Sequence, residues 1–160
     1  MFEVCKMSVE RGYTHFFYGG DFGVADELKE RMSSKLPGIK IVGTYTPPFR
    51  PLNCEEERDL IDKVSRLKPD IFWVGISTPK QERFMYEYLH KLNTKVMIGV
   101  GAAFDFHCNR VPTAPKFMIK YGFEWCYRLY QNPRRLWKRY LFNNPRFIFK
   151  IIRQLINDKF

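Results

Sequence analysis

Ser77-Thr78-Pro79-Lys80-Gln81-Glu82 follows directly on the apolar run Ile71–Gly75. A hydroxyl, a lysine and an amide at a strand-to-helix junction suit an anion. The first backbone N–H groups of a helix and its dipole both point there. Lys80 would add charge, Thr78 a hydroxyl, and Gln81 could hold an oxygen of a sugar or a leaving group. The same residues also fit an ordinary capped helix start, and pattern alone does not separate the two. A second run, Gly99-Val100-Gly101-Ala102-Ala103-Phe104-Asp105-Phe106, sets one carboxylate between aromatic rings. Asp105 could accept hydrogen bonds from a ribose or a base, or it could cap the following helix. Asp105, His107 and Cys108 are too few and too close together for a metal site, and no Asp-x-Asp pair is present. No metal or other cofactor is therefore expected.

The third run is Gly122-Phe123-Glu124-Trp125-Cys126-Tyr127-Arg128-Leu129, followed by Asn132-Pro133-Arg134-Arg135-Leu136-Trp137-Lys138-Arg139-Tyr140. Glu124 and Arg128 stand four apart and can pair on a helix. Arginine forks bind phosphate through two N–H groups at once, so a pyrophosphate is a natural target for Arg128, Arg134, Arg135 and Arg139. The alternative is salt bridging and solvated charge. Residues 110–160 hold 12 Lys and Arg but only Glu124 and Asp158 as acids, so local partners are scarce.

These residues must be positioned by something, and the first hundred residues supply it. Short β-rich runs alternate with amphipathic ones. Thr14–Tyr18 reads as a strand ending in Gly19-Gly20, and residues 22–36 as a helix with Val24, Leu28, Met32 and Leu36 on one face. Ile39–Gly43 reads as the next strand, followed by the proline-rich loop Thr44–Leu52. Asn53 is placed to cap a helix from Cys54, with Glu55, Glu56 and Glu57 in its first turn. Pro69-Asp70 breaks it before strand Ile71–Gly75. A helix from Pro79 to about Leu92 and a strand Lys95–Val100 complete the series. This alternation predicts an α/β fold, a Rossmann-like parallel sheet with flanking helices. Such sheets bind ligands beyond the carboxyl ends of their strands. Every predicted strand ends in glycine, at Gly19-Gly20, Gly43, Gly75 and Gly99 or Gly101. One such glycine merely turns the chain; four together favour a ligand edge. Residues 2–11 read as the end of a helix, and four strands make a small sheet of this kind. A further N-terminal part is therefore expected to precede it.

Hydrophobic residues make up 45% of the 160 and aromatic residues 17%, which excludes a disordered chain. No apolar run approaches the ~18 residues that read as a membrane span, and no signal peptide is visible, so a cytoplasmic location is expected. Cys5, Cys54, Cys108 and Cys126 lack metal or redox spacing and read as reduced thiols. The net charge of +10 lies entirely in residues 110–160. That segment, taken with residues 113–160 as a unit distinct from 1–112, reads as helical over 117–158 with breaks near Gly122, Pro133 and Pro145. Arg146, Lys150, Arg153 and Asn157 form one helical stripe; Phe147, Ile148, Phe149, Ile151, Ile152, Leu155 and Ile156 cover the rest. A basic amphipathic helical tail of this kind predicts contact with an anionic membrane surface. The alternative is that its apolar faces pack on the sheet. Nucleic acid is not an expected partner, because the aromatic residues lie opposite the arginines rather than among them. Exposed apolar helices would also allow a homo-oligomer.

The succession resembles the WecG/TagA/CpsF family, glycosyltransferase family 26. The matching stretches are Tyr18-Gly19-Gly20, Gly43 to Phe49, Pro69-Asp70, Thr78 to Glu82, Gly99 to Phe106 and Gly122 to Tyr140. The resemblance covers essentially the whole chain. It implies an inverting, metal-independent transfer of a sugar, N-acetylmannosamine or a relative, from a UDP-sugar donor. The implied acceptor is a polyprenyl-diphosphate-linked sugar at the inner face of the cell membrane, in teichoic acid, capsule or exopolysaccharide synthesis. In that picture Gly19, Gly20, Gly43, Tyr45, Gly75, Thr78, Lys80, Gly101, Phe104 and Asp105 line the nucleotide-sugar pocket, and Gln81 lies near the reacting sugar. Arg128, Arg134, Arg135 and Arg139 take a diphosphate while the tail meets lipid. Family members also carry an N-terminal acidic residue proposed as the catalytic base. Nothing in this chain matches it, and Asp105 is a weak substitute. The alternative reading is a catalytically incomplete nucleotide- and membrane-binding fragment. His107-Cys108-Asn109 and Pro112-Thr113 also depart from the family's small and basic stretch, which bears on donor preference.

Overall fold

A computed structural model describes residues 1–112, 114–131, 133–138, 142 and 144–157, without the side chains of Lys116, Arg135, Lys138 and Asn157. It divides into two compact units, Met1–Pro112 and Thr113–Phe160.

In the first unit helix α1 (Phe2–Arg11) leads into strand β1 (Thr14–Gly19). Helix α2 (Val24–Lys35), strand β2 (Lys40–Tyr45) and helix α3 (Cys54–Leu67) follow. Strand β3 (Ile71–Gly75), helix α4 (Lys80–Tyr88), strand β4 (Val96–Gly99) and helix α5 (Ala103–His107) complete it. The strands form one parallel sheet in the order β2-β1-β3-β4. The α/β arrangement expected from the alternation is therefore present.

The strand pattern explains the layers. Successive side chains of a strand point to opposite faces. On the central strands Phe16, Tyr18, Phe72 and Val74 join α3 and α4 residues Leu60, Val64, Phe84 and Tyr88 in one core cluster. Phe17 and Trp73 join Cys5, Val24, Leu28, Met32, Phe104 and Cys108 in the other, supplied by α1, α2, α5 and the turn after it. With both faces covered, β1 and β3 need apolar residues at nearly every position, which is why their runs are continuous rather than alternating. Asn53 caps α3 as its sequence predicts. Its Oδ1 accepts from the Glu56 N–H at 2.8 Å and its own N–H donates to Glu56 Oε2 at 2.9 Å. Asp70 ties the amino ends of three strands: Oδ2 accepts from the Thr14 N–H and hydroxyl at 2.8 and 2.9 Å, and Oδ1 meets Lys95 Nζ at 2.7 Å. These donors, with the Lys95 ammonium first, hold the Asp70 carboxyl down at about 2.

The second unit contains α6 (Lys116–Lys120), α7 (Glu124–Gln131), α8 (Pro133–Lys138) and α9 (Asn144–Asn157). The breaks fall near Gly122, Pro133 and Pro145 as expected; both prolines stand in the first turn of the helix that follows, where a missing N–H costs nothing. No described helix is long and apolar enough to cross a membrane.

One buried polar pair has a thermodynamic signature. His15 is fully buried, and its Nδ1 accepts from Trp73 Nε1 at 3.0 Å. Its Nε2 has no hydrogen-bond partner among the described residues. Burial pushes the His15 pKa down from 6.5 to about 4, against the opposing pull of the Asp70 carboxylate. The folded value lies below the unfolded one. His15 therefore leaves stability intact above pH 6.5 and erodes it as pH falls toward 4, by up to roughly 3 kcal/mol at ~1.4 kcal/mol per pKa unit. Urea unfolding measured across that window should show this decline. His15→Gln, which still offers Trp73 an acceptor but takes no proton, should remove it.

Candidate functional site

The order β2-β1-β3-β4 means that the chain builds outward from β1 in one direction and from β3 in the other. The connections leaving the carboxyl ends of β1 and β3 therefore diverge to opposite faces and leave a crevice between them. Glycine forms its floor. Gly19 pairs with Gly75, and the Gly20 N–H donates to the Gly75 carbonyl at 2.9 Å. Gly19 has φ 133°, and a Cβ on it would collide with the Gly75 backbone, so no other residue lets the two strands close here. The Tyr18 and Tyr45 rings stack beside this edge at 5.7 Å, and Tyr18 stacks on Phe84 at 4.3 Å. Burial drives the Tyr45 hydroxyl pKa upward, helped by Glu56.

The loop after β3 brings Thr78, Lys80 and Gln81 to the same edge. Ser77, Thr78, Pro79 and Lys80 are all exposed at the start of α4. The Thr78 hydroxyl donates to Glu82 Oε1 at 3.1 Å, and Lys80 Nζ reaches over to the Phe49 carbonyl at 3.4 Å. The β2 loop under that lysine is anchored by Arg50, whose guanidinium forks onto the two Glu56 oxygens at 2.7 Å each. Arg50 in turn, ahead of the Asn53 N–H, holds the Glu56 carboxyl at about 2. Gln81 is placed differently from a freely offered amide. Its Oε1 accepts from the Gly101 N–H at 2.9 Å, and its Nε2 donates to Glu82 at 3.0 Å. The side chain thus latches the start of α4 to the turn after β4.

Helix α5, which follows that turn, carries Phe104 and Asp105. Phe104 is fully buried, edge-on to Phe17 at 5.7 Å and packed against the bare face of Gly75. Asp105 does not precede a helix as a cap; it lies within α5. Burial raises its pKa, and the carboxylate of Asp21, on the loop after β1, raises it further. The charges of Asp21 and Asp105 thus act on one another. Asp21 escaped the sequence reading because a single acid inside a glycine loop has no distinctive spacing. Glu27 was missed likewise. It binds Arg31 at 2.9 Å and accepts both Nε and Nη2 of Arg110 at 2.9 and 2.8 Å, pinning the end of this unit to α2.

One strand-end glycine lies elsewhere. Gly43 is inside β2, which continues to Tyr45, and a Cβ there would sit 2.6 Å from the Phe16 ring. It makes room for an aromatic core residue rather than ending a strand. In the second unit, Arg128 Nε donates to Glu124 Oε1 at 2.9 Å, the pairing that the four-residue spacing predicts. Arg134 is exposed on α8. The side chain of Arg135 and all of Arg139 lie outside the described residues. Among the described residues no group of three His, Cys, Asp or Glu side chains could hold a metal ion.

The Gln81 latch predicts its own test. Gln81→Ala removes the acceptor of the Gly101 N–H, a bond worth about 1 kcal/mol. Amide exchange at Gly101 should accelerate roughly fivefold while the β1 and β3 amides keep their protection. An unchanged Gly101 rate would show that the latch does not hold the turn.

Residues 1–160 match the family described as Glycosyl transferase WecG/TagA/CpsF family. A relative in Bacillus spizizenii, named N-acetylglucosaminyldiphosphoundecaprenol N-acetyl-beta-D-mannosaminyltransferase, is 35% identical over 138 residues, covering 86% of this chain and 51% of the relative. A protein of the same name in Bacillus subtilis is 35% identical over 145 residues, covering 90% of this chain and 54% of that protein. The chain spans about half the length of the curated relatives it matches. With the family matched along all 160 residues, the chain belongs to the WecG/TagA/CpsF family of glycosyl transferases.

Proposed function

We propose that the chain forms the nucleotide-binding and membrane-facing portion of a glycosyltransferase. The enzyme would move an N-acetylmannosamine-like sugar from a UDP-sugar to a polyprenyl-diphosphate-linked acceptor at the inner face of the cell membrane. The observation that carries this reading is the crevice between the carboxyl ends of β1 and β3, in a chain of this family. An acceptor hydroxyl attacks the anomeric carbon and gives its proton to a general base while the bond to the UDP oxygen breaks, inverting that carbon. The departing diphosphate needs positive charge and N–H donors where its own charge grows. In this chain the Lys80 ammonium would supply the charge, and the Thr78 hydroxyl would turn from Glu82 to the diphosphate. The glycines let the backbone approach the diphosphate, and Asp105 accepts from the ribose hydroxyls. Gln81 acts on the site by holding the turn after β4, which leads into α5 and Asp105. The names of the two Bacillus proteins, with their undecaprenol-linked diphosphate acceptor, support the acceptor class.

The second unit supports the membrane part. Phe147, Ile148, Phe149, Ile151, Ile152, Leu155 and Ile156 of α9 are all exposed, and Arg146, Lys150 and Arg153 run between them. Such a helix lies in the headgroup plane, with its apolar face in the acyl boundary and its cations on anionic lipid. Arg128 and Arg134 on α7 and α8 are placed to take the acceptor's diphosphate near that surface.

Two measurements check this. Titration calorimetry should detect UDP binding, and Lys80→Ala should weaken it roughly tenfold, as expected for one charge-assisted contact. No heat with UDP removes the nucleotide reading. Flotation should carry the chain up with vesicles containing phosphatidylglycerol at low salt but not at high salt. Reversing Arg146, Lys150 and Arg153 to glutamate should weaken that binding by roughly a hundredfold or more, at ~1 kcal/mol per basic residue lost. Equal flotation with neutral vesicles would remove the electrostatic part of the proposal.

A further inference from the structure

The loop that closes the crevice on the β1 side carries a ring that no contact explains. Asp21-Phe22-Gly23-Val24 is a tight turn. The Val24 N–H donates to the Asp21 carbonyl at 3.0 Å, and Gly23 has φ 78° and ψ −7°. Those angles are the third position of a type II turn, which demands positive φ and hence glycine. A Cβ on Gly23 would meet nothing within 4 Å, so the glycine serves the turn and not the packing. Phe22 occupies the second position, at the tip. It is 94% exposed, the most exposed large apolar side chain among the described residues. Leaving a phenylalanine in water forgoes about 2–3 kcal/mol that burial would return. Here the backbone that carries the ring is set by a hydrogen-bonded turn, one residue after Asp21 on the loop that follows β1. With the backbone already ordered, only side-chain freedom is lost when something covers the ring.

From this geometry we infer that Phe22 is the stacking platform for the nucleobase of the donor, a binding residue that sets preference for a nucleotide over a bare diphosphate. The inference rests on the nucleotide-sugar reading above and names the residue that holds the base. The order along the loop fits a nucleotide read from its phosphates outward. Gly19 and Gly20 would lie under the diphosphate, Asp21 and Asp105 would meet the ribose hydroxyls, and Phe22 would follow for the base. Stacking on an aromatic face is worth about 1–3 kcal/mol per base and does not depend on the base's edge groups. Selectivity by this ring is therefore for possession of a base, and not for uracil over another.

The test compares UDP with inorganic pyrophosphate on the whole chain. Phe22→Ala should weaken UDP binding roughly 5- to 100-fold, leave pyrophosphate binding unchanged and leave the unfolding temperature where it was. Phe22→Trp should keep UDP affinity and report binding through quenching of the new indole. Unchanged UDP affinity in Phe22→Ala, or an equal loss for pyrophosphate, overturns the stacking role while leaving the nucleotide reading in place. If the unaltered chain binds pyrophosphate but gains nothing from the nucleoside of UDP, both fall together.

Discussion

The contact between Gly19 and Gly75 is where the architecture and the chemistry of this chain meet. Two parallel central strands can close to a hydrogen bond between Gly20 and the Gly75 carbonyl only because Gly19 projects no side chain against the Gly75 backbone. The Phe104 ring then fills the space that a side chain on Gly75 would take. Widen this junction by one methyl group and the β1 loop, the β3 loop and the α5 turn would all have to shift, because each is built on it. The site is therefore not a set of residues attached to a finished sheet. Its spacing is the spacing of the two strands.

Around that junction the polar groups are fixed by partners on neighbouring elements rather than on their own. Gln81 of α4 holds Gly101 after β4, Lys80 reaches the β2 loop, and Arg110 clasps Glu27 of α2. Each of these bonds is modest by itself. Their common effect is to keep four loops in register at one edge of the sheet. Charge is distributed unevenly over that edge. The lysine and the exposed amino end of α4 lie on one side of the crevice, and Asp21 and Asp105 on the other. Burial and the charge of Asp21 both disfavour the Asp105 carboxylate. The Glu56, Glu27 and Asp70 carboxylates, by contrast, are lowered by direct partners and belong to the scaffold.

Local pattern along the chain is enough for the strand–helix alternation, the capped start of α3, the Glu124–Arg128 pair and the segregation of all net charge into the last third. Each of these follows from near neighbours: a run of apolar residues, a cap three residues from its glutamate, a spacing of four. The family was readable for a related reason, since its motifs are short local runs that keep their order along the chain. Tertiary structure alone decided the strand order, because nothing local tells β3 to pair with β1 rather than β2. It decided that Gly43 lies inside a strand under Phe16, that Gln81 serves Gly101, and that Asp21 acts on Asp105 from 84 positions away. It also separated Phe22 from the many other phenylalanines, since exposure is a property of what surrounds a ring and not of the ring. Periodicity and capping act over one or two turns of chain and are written in the sequence. Register, close approach and solvent access are relations between distant segments, and they exist only once the sheet has formed.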